Sequence, residues 1–328
     1  MLTDPLGRTI RYLRISVTDR CNLRCVYCMP PQGIPLSSHD TIMRYEEILE
    51  VVKVAAEQGI TAIRLTGGEP LARMGITELV RMIASVPGIH DISMTTNGLL
   101  LERFAQELKE AGLKRINISL DTLKPDRFSR ITRGGSFEQV WRGILAAEKA
   151  GLNPIKLNTV VMRGVNDDEL SDLASLTLEH PWHVRFIEMM PVNNQEAWDD
   201  GFPPINQIFV ALSEIKQRLA VLNLKPVQEK SGNGPARVFS IEGGQGKIGF
   251  ISPISEHFCG ECNRLRLTAD GNLRPCLLSD LEIPLLPALR KGEDILPLLQ
   301  QAVQLKPEGH TLQQNQRTFT RCMIQIGG

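Results

Sequence analysis

Along its first 190 residues the chain alternates short β-like runs with longer segments of helical period. The β-like runs are 11–18 (RYLRISVT), 62–67 (AIRLTG), 92–97 (ISMTTN), 116–121 (INISLD), 155–162 (IKLNTVVM) and 184–190 (VRFIEMM). Each is short, rich in β-branched residues and bounded by turn formers, the pattern of a strand. Between them, Ile48, Val51, Val52 and Ala55, then Leu79, Met82 and Ile83, then Phe137, Val140, Ile144 and Ala147 recur at helical spacing. Gly59 and the Ala-Gly-Leu runs at 111–113 and 150–152 punctuate helix ends. Repeated βα units predict an α/β fold with a mainly parallel sheet. Six units fall short of the eight that close a standard barrel, so the pattern fits a doubly wound sheet or an open, partial barrel whose mouth something else covers. After residue 200 the alternation degrades. GFPPINQ (201–207) reads as a boundary, a helix is expected over 207–221, and SGNGPAR and EGGQG interrupt later β-like stretches. The expected division is a body at 1–224 and a smaller, loop-rich α+β region at 225–328.

A length of 328 residues suits two such units. Lys and Arg total 37 and Asp and Glu total 37, which argues against a bulk nucleic-acid or other polyanion binder while leaving room for local basic clusters. No uncharged apolar stretch reaches the ~18 residues of a membrane span, and the N-terminus lacks the apolar core of a secretory signal. The expectation is a cytoplasmic protein with no membrane association.

Charge inside the strands changes the picture. Arg14, Arg64, Lys156 and Arg185 each interrupt an apolar run. Strands of parallel sheets are normally apolar on both faces, and unpaired buried cations are costly. One alone fits a half-exposed edge or a pairing with an acid such as Glu188; four on separate strands predict a pocket lined with positive charge. Arginine forks match phosphate oxygens, so the implied ligand is a compact polyanion. No G-x4-G-K-[ST] loop is present, and Gly244, Gly246 and Gly249 spell G-x-G-x-x-G without the helix that a dinucleotide site requires.

Six of the seven cysteines fall in two triplets: Cys21, Cys25 and Cys28 (C-x3-C-x2-C), and Cys259, Cys262 and Cys276 (C-x2-C-x13-C). An odd count without a secretion signal does not suit a disulfide framework; metal or cluster ligation does. Cys322 reads as a small buried hydrophobe with no ligand role. Three thiolates suit a [4Fe–4S] cluster with one iron left open, the other reading being a zinc knuckle with a borrowed fourth ligand. At the second triplet His257 is a candidate fourth zinc ligand. The run Thr66-Gly67-Gly68-Glu69-Pro70 lets a backbone approach a ligand closely. Arg264 and Arg266, two apart in a strand-like run, share a face, and a hairpin is expected around Ala269-Asp270-Gly271-Asn272.

The first triplet, with Tyr27 before its third cysteine and the Gly67-Gly68-Glu69 segment after the second strand, resembles the radical S-adenosylmethionine (SAM) superfamily. The second triplet, with Arg264-Leu265-Arg266, Gly234-Pro235-Ala236-Arg237 and the terminal Ile326-Gly327-Gly328, resembles the branch of that superfamily that opens molybdenum cofactor biosynthesis by cyclising GTP. This resemblance covers essentially the whole chain. It implies a partial (βα)6 barrel, two [4Fe–4S] clusters and SAM. SAM would chelate the open iron of the first cluster and touch Tyr27, Gly68, Ser119 and Met190. GTP would meet Arg14, Arg64, Thr95, Lys156, Arg264, Leu265 and Arg266, with guanine on the open iron of the second cluster. Gly327 and Gly328 would reach the catalytic pocket, where position alone predicts a frayed end. The implied lyase reaction takes hydrogen from ribose C3′ through a 5′-deoxyadenosyl radical and joins C3′ to guanine C8, with a further one-electron reduction and a proton completing the dihydro product. The implied partners are a flavodoxin- or ferredoxin-type electron donor and cyclic pyranopterin monophosphate synthase as the next enzyme; a homodimer is compatible. The competing readings are a peptide-modifying radical SAM enzyme and a non-enzymatic zinc or iron–sulfur sensor.

Overall fold

The computed structural model describes residues 1–190, 201–227, 234–310 and 321–327. All six expected strands form: β1 (Tyr12–Ser16), β2 (Ala62–Thr66), β3 (Asp91–Thr96), β4 (Arg115–Ser119), β5 (Ile155–Val161) and β6 (His183–Glu188). They lie side by side in chain order, all parallel. The connections carry α1 (Tyr45–Glu57), α2 (Ile76–Ala84), α3 (Leu101–Glu110), α4 (Pro125–Thr132), α5 (Phe137–Lys149) and α6 (Leu170–Glu179). Ile48, Val51, Val52 and Ala55 are fully buried in α1, whose start is held by the Glu47 carboxylate accepting from Arg44 N at 2.7 Å. In α2 the inner stripe is Leu79, Val80 and Ile83, with Met82 only half-buried.

The C-terminal region extends this sheet at both ends. β9 (Lys247–Ile251) pairs in parallel with β6, and β10 (Arg264–Leu267) pairs in parallel with β1. Outside β10 lie β11 (Asn272–Arg274), closing the expected hairpin, and β12 (Ile283–Pro284); outside β9 lie β8 (Arg237–Ser240) and β7 (Lys225–Pro226). The twelve strands form one sheet, with eight consecutive parallel strands at its centre. The helix expected over 207–221 is broken into α7 (Ile205–Ile208) and α8 (Leu212–Arg218), followed by a 3-10 turn at Ala220–Leu222. The break has a cause. Ile208 O accepts from Arg163 N at 2.8 Å and Phe209 bridges to Met162, so the backbone there serves the end of β5. The Glu188 carboxylate then accepts from Leu212 N at 2.7 Å and starts the next helix. Glu188 lies three positions from Arg185, on the opposite face of β6, and its further partners are Ser252, Ile254 and Ser255. It is a loop organiser, turned away from the strand cation Arg185.

The two faces of the sheet have opposite chemistry. Leu13, Ile15, Ile63, Leu65, Ile116, Ile118, Leu157, Val184, Phe186 and Leu265 alternate onto the outer face and are fully buried in one core with the helices. The residues between them face inward. Arg266, Arg14, Arg64 and Ser93 are register partners across β10, β1, β2 and β3, and Thr95, Asn117 and Lys156 across β3, β4 and β5. A period-2 pattern in parallel strands is the mark of a sheet curled around a polar interior.

Leu157, on the outer face, sets the scale of this core. Leu157→Ala is expected to lower the unfolding free energy of the cluster-free protein by about 2–5 kcal/mol, while Leu145→Ala at a 42% exposed position of α5 stays within about 0.5 kcal/mol. Urea midpoints of the two variants check this, and equal midpoints would refute the assignment of the core to the outer face.

Candidate functional site

The polar interior is crowded with cations. Arg14, Arg64, Lys156, Arg185, Arg264 and Arg266 all project into it, each from the inward-facing set of its strand. Burial, then Arg185, Arg115 and Arg64, push Lys156 down to about 5. Burial, then Arg64 and Arg115, bring Arg185 to about 9, and burial, then Arg264, bring Arg266 to about 10. Asp91 answers Arg115 through two oxygens. Arg64 donates to Ser93 Oγ at 3.2 Å and lies over the Tyr12 ring at 5.4 Å.

The same interior holds polar atoms with nothing to bond. Tyr12 OH, Thr95 Oγ1, Asn117 Oδ1, Asn158 Oδ1 and Arg264 Nε are buried and have no hydrogen-bond partner among the described residues. Each such atom costs about 1–3 kcal/mol. Five of them in one cation-lined interior describe a built site for a polar, anionic ligand.

The first triplet crowns the C-terminal end of β1. The loop carrying it is fastened to the loop after β2, where Gly68 N donates to Thr18 O at 2.7 Å and Glu69 N to Arg20 O at 2.8 Å. A Cβ on Gly68 would lie 2.2 Å from Arg20 O, so this approach requires glycine. Glu69 is fully buried and accepts from Leu71 N, Thr96 Oγ1 and Asn97 N at 2.7–2.9 Å, binding the ends of β2 and β3 together. Burial outweighs these bonds and raises its carboxyl to about 7. Burial likewise pushes the Cys21 thiol up to about 11, and Cys25 and Cys28 well above the thiol range, with the neighbouring thiols and Asp121 adding to it. Thiols so placed become thiolates only beside a strongly positive centre. Three cysteine thiols on one loop are a donor set that fits an iron–sulfur cluster, which engages each thiolate at a different iron. Tyr27 OH donates to Asp121 at 2.7 Å, Ser119 is half-buried at the end of β4, and Met190 packs with Leu278 and Ile326.

The second triplet sits at the opposite end of the interior. Cys259 and Cys262 precede β10, which runs parallel to β1, and Cys276 follows the antiparallel β11. All three thus lie near the N-terminal end of β1, beside Tyr12 and Arg264. They line a cavity with Phe258, Arg266, Lys306 and His310. Burial raises the Cys262 thiol, yet Lys306 and Arg264 outweigh burial and bring it below its ordinary value. His257 packs edge-on against His310, ring centres 5.6 Å apart.

The chain's end threads between the two. Arg321 pairs with Asp270 and Glu282 at 2.7–2.8 Å. Ile324 and Ile326 are buried. Gly327 O accepts from Arg14, Thr66 and Arg266 at 3.3, 3.2 and 3.1 Å. Gly327 has φ +72°, and a Cβ there would lie 2.7 Å from Thr66 Oγ1. The tail is seated in the interior, where position alone predicts fraying. Gly328 lies outside the described residues. Leu265 departs from the sequence reading, because strand alternation turns its side chain into the outer core opposite Leu13 and away from the interior. Asn117, Asn158, Asp121, Arg8 and Lys306 were not anticipated. The first two carried a usable signal, since they share the period-2 face of the anticipated cations.

Residues 15–177 match the radical SAM superfamily and residues 182–312 the molybdenum cofactor synthesis C family. A relative in Moorella thermoacetica, named GTP 3′,8-cyclase, is 51% identical over 331 residues, covering 100% of both chains. One of the same name in Pelotomaculum thermopropionicum is 51% identical, again over 100% of both. Among solved structures, Streptococcus suis SuiB bound to S-adenosylmethionine superposes with a TM-score of 0.60 at 13% identity, covering 89% of this chain and 65% of that one, a likeness of fold. With this identity along its whole length, and with two cysteine triplets at opposite ends of a cation-lined barrel, the chain belongs to the GTP 3′,8-cyclase family of the radical SAM superfamily.

Proposed function

We propose that this protein converts GTP to 3′,8-cyclo-7,8-dihydro-GTP, the first step of molybdenum cofactor biosynthesis. The observation that carries the reading is the interior between the thiol triplets, where a concentration of buried positive charge lies beside unsatisfied donors at Tyr12, Thr95 and Arg264 and unsatisfied acceptors at Asn117 and Asn158, a lining matched to a nucleoside polyphosphate. A peptide substrate brings no comparable density of negative charge.

When bound, SAM and the cluster held by Cys21, Cys25 and Cys28 supply an electron and a 5′-deoxyadenosyl radical. The chain's own residues bind, orient and shield. Gly68, Tyr27, Ser119 and Met190 hold SAM at the C-terminal end of the strands, with Asp121 fixing the Tyr27 hydroxyl. Arg14, Arg64, Thr95, Lys156, Arg185, Arg264 and Arg266 hold the nucleotide so that its ribose meets that end while guanine points to the second cluster, held by Cys259, Cys262 and Cys276. Leu265 contributes to the strand backbone. Gly327 and Gly328 bring the tail to the reacting ribose. Positioning of this kind is worth several orders of magnitude in rate. We assign residues 1–224 to the radical SAM body and 225–328 to the second-cluster and substrate region. The protein would work in the cytoplasm, take electrons from a flavodoxin- or ferredoxin-type donor and pass its product to cyclic pyranopterin monophosphate synthase.

Anaerobic reconstitution followed by dithionite, SAM and GTP is expected to give 5′-deoxyadenosine and, in equal amount, a cyclised nucleotide isomeric with GTP, read by mass spectrometry. Cys25→Ser is expected to abolish SAM cleavage. Cys262→Ser is expected to keep the first cluster and lose GTP conversion. Deoxyadenosine from the iron-replete wild type without loss of GTP would overturn the substrate.

A second expectation concerns protons. With Lys156 near 5 in the folded chain and 10.5 as its ordinary value, the unfolded state binds the extra proton between those pH values. Lys156 therefore contributes a rise in stability with pH across that window, and Lys156→Met should flatten it. A triphosphate beside Lys156 restores the charged form, so GTP binding near neutral pH should take up protons. Calorimetry in buffers of different ionisation enthalpy reads the uptake; none in the wild type, or the same uptake in Lys156→Met, would refute this account.

A further inference from the structure

Two cations of the chain meet behind the second triplet. Arg8, from the N-terminal segment, is buried and held by Asp4, whose carboxylate accepts from Arg8 Nε at 2.5 Å and from Arg8 N at 2.8 Å. Its guanidinium donates to Cys259 O and Pro307 O at 2.8 Å, and to Glu308 O at 3.3 Å. One side chain thus ties the carbonyl of a triplet cysteine to the segment that follows the helix Leu296–Gln304. That segment includes Lys306, 6% exposed. Lys306 Nζ donates to Arg264 O and Pro275 O, both at 2.8 Å; it lines one cavity with Cys259, Cys262 and Cys276, and its charge helps hold the Cys262 thiol below its ordinary value. Those carbonyls flank the triplet in sequence, Pro275 directly before Cys276 and Arg264 two residues after Cys262.

The charges differ in one respect. Arg8 has its carboxylate; Lys306 is a buried ammonium whose hydrogen-bond partners among the described residues are two carbonyls. A buried cation without a counter-charge costs several kcal/mol, so its place in the fold calls for an anion. The Cys259, Cys262 and Cys276 thiolates on a cluster supply one. We infer that Lys306 is the counter-charge and N–H···S donor of the second cluster, that it sets the reduction potential of that cluster, and that Arg8 holds the backbone carrying both. The inference rests on the proposal that the second triplet binds a cluster. Hydrogen bonds to cluster sulfurs and nearby positive charge favour the more negative, reduced state. Lys306 is a positioning and tuning residue, with no contact to the reacting ribose assigned to it.

The test isolates the second site in the full-length chain by Cys21→Ser, Cys25→Ser and Cys28→Ser. Reconstitution of this variant is expected to give roughly four irons per chain; a chain without iron overturns the second-cluster reading, and with it this inference. In the iron-replete variant, an EPR-monitored titration reads the potential. Adding Lys306→Met is expected to shift it downward, changing the oxidised-to-reduced ratio at a fixed potential by at least about tenfold, or ~59 mV for a one-electron couple. Four irons with an unmoved potential would overturn the role of Lys306 and leave the cluster standing. Lys306→Met in the otherwise native chain should still cleave SAM, which separates a tuning effect from misfolding. Where the variant fails to hold iron, the unsubstituted Lys306 decides: with 15Nζ-labelled lysine, pulsed EPR of the reduced second cluster should show a weak nitrogen coupling, and its absence refutes the N–H···S bond.

Discussion

Repulsion among like charges held inside a curled sheet is the constraint around which this protein is organised. Two unit charges ~5 Å apart at an effective dielectric of ~20 repel by on the order of 3 kcal/mol, about what burying one large aliphatic side chain contributes. Arg266, Arg14 and Arg64 are register neighbours on adjacent strands, so each contact between them cancels roughly one core leucine. The outer face must supply the surplus, and it does so as a continuous apolar layer from Leu13 and Leu265 to Phe186 and Phe250 under the helices. The interior cannot relax by filling with side chains, because its purpose is to be filled by a ligand. Stability and function are thus divided between the two faces of the same strands.

This division explains what was legible in the chain and what was not. The strands were legible because an apolar outer face demands alternation whatever the inner face carries. The cations were legible because an arginine in an apolar run is chemically conspicuous. Asn117 and Asn158 were not, since one amide in a strand is unremarkable until register sets it beside Lys156 and Arg185. The continuous helix over 207–221 failed because the strand end at Met162 and the Glu188 carboxylate compete for its backbone, and both are distant in sequence. Glu188 was offered as an acid for one of the strand cations, and strand parity instead turns it away from Arg185 toward the loops at Leu212 and Ser252. Arg8 and Lys306 carried no local signal; their meaning lies in contacts with Cys259 and Pro275, 251 and 31 residues away.

The chain's two ends complete what its middle begins. β1 is flanked by β2 on one side and by β10 on the other, so the register that sets Arg14 beside Arg64 also sets Arg266 beside Arg14 and carries the second triplet to the foot of the barrel. A shift of one residue in the β1–β10 register would turn both Arg264 and Arg266 into the outer core and bring Leu265 inside. Arg321, anchored on Asp270 and Glu282, fixes where the tail enters, and Glu282 also pairs with Arg274 of β11. The tail is therefore referenced to the same hairpin that carries Cys276.

One carbonyl joins these arrangements. Gly327 O receives Arg14 of β1, Thr66 of β2 and Arg266 of β10, three strands that meet only because the C-terminal region adds to the sheet edge. A neutral carbonyl answers part of the local positive field without the desolvation cost of a carboxylate, and it remains weaker than a phosphate in competition for the same donors. A carboxylate side chain there would neutralise the cations permanently and compete with any anionic ligand. Glycine's missing side chain lets the tail pass beside Ser16 and Thr66, and the backbone acceptor lets the row keep most of its positive charge.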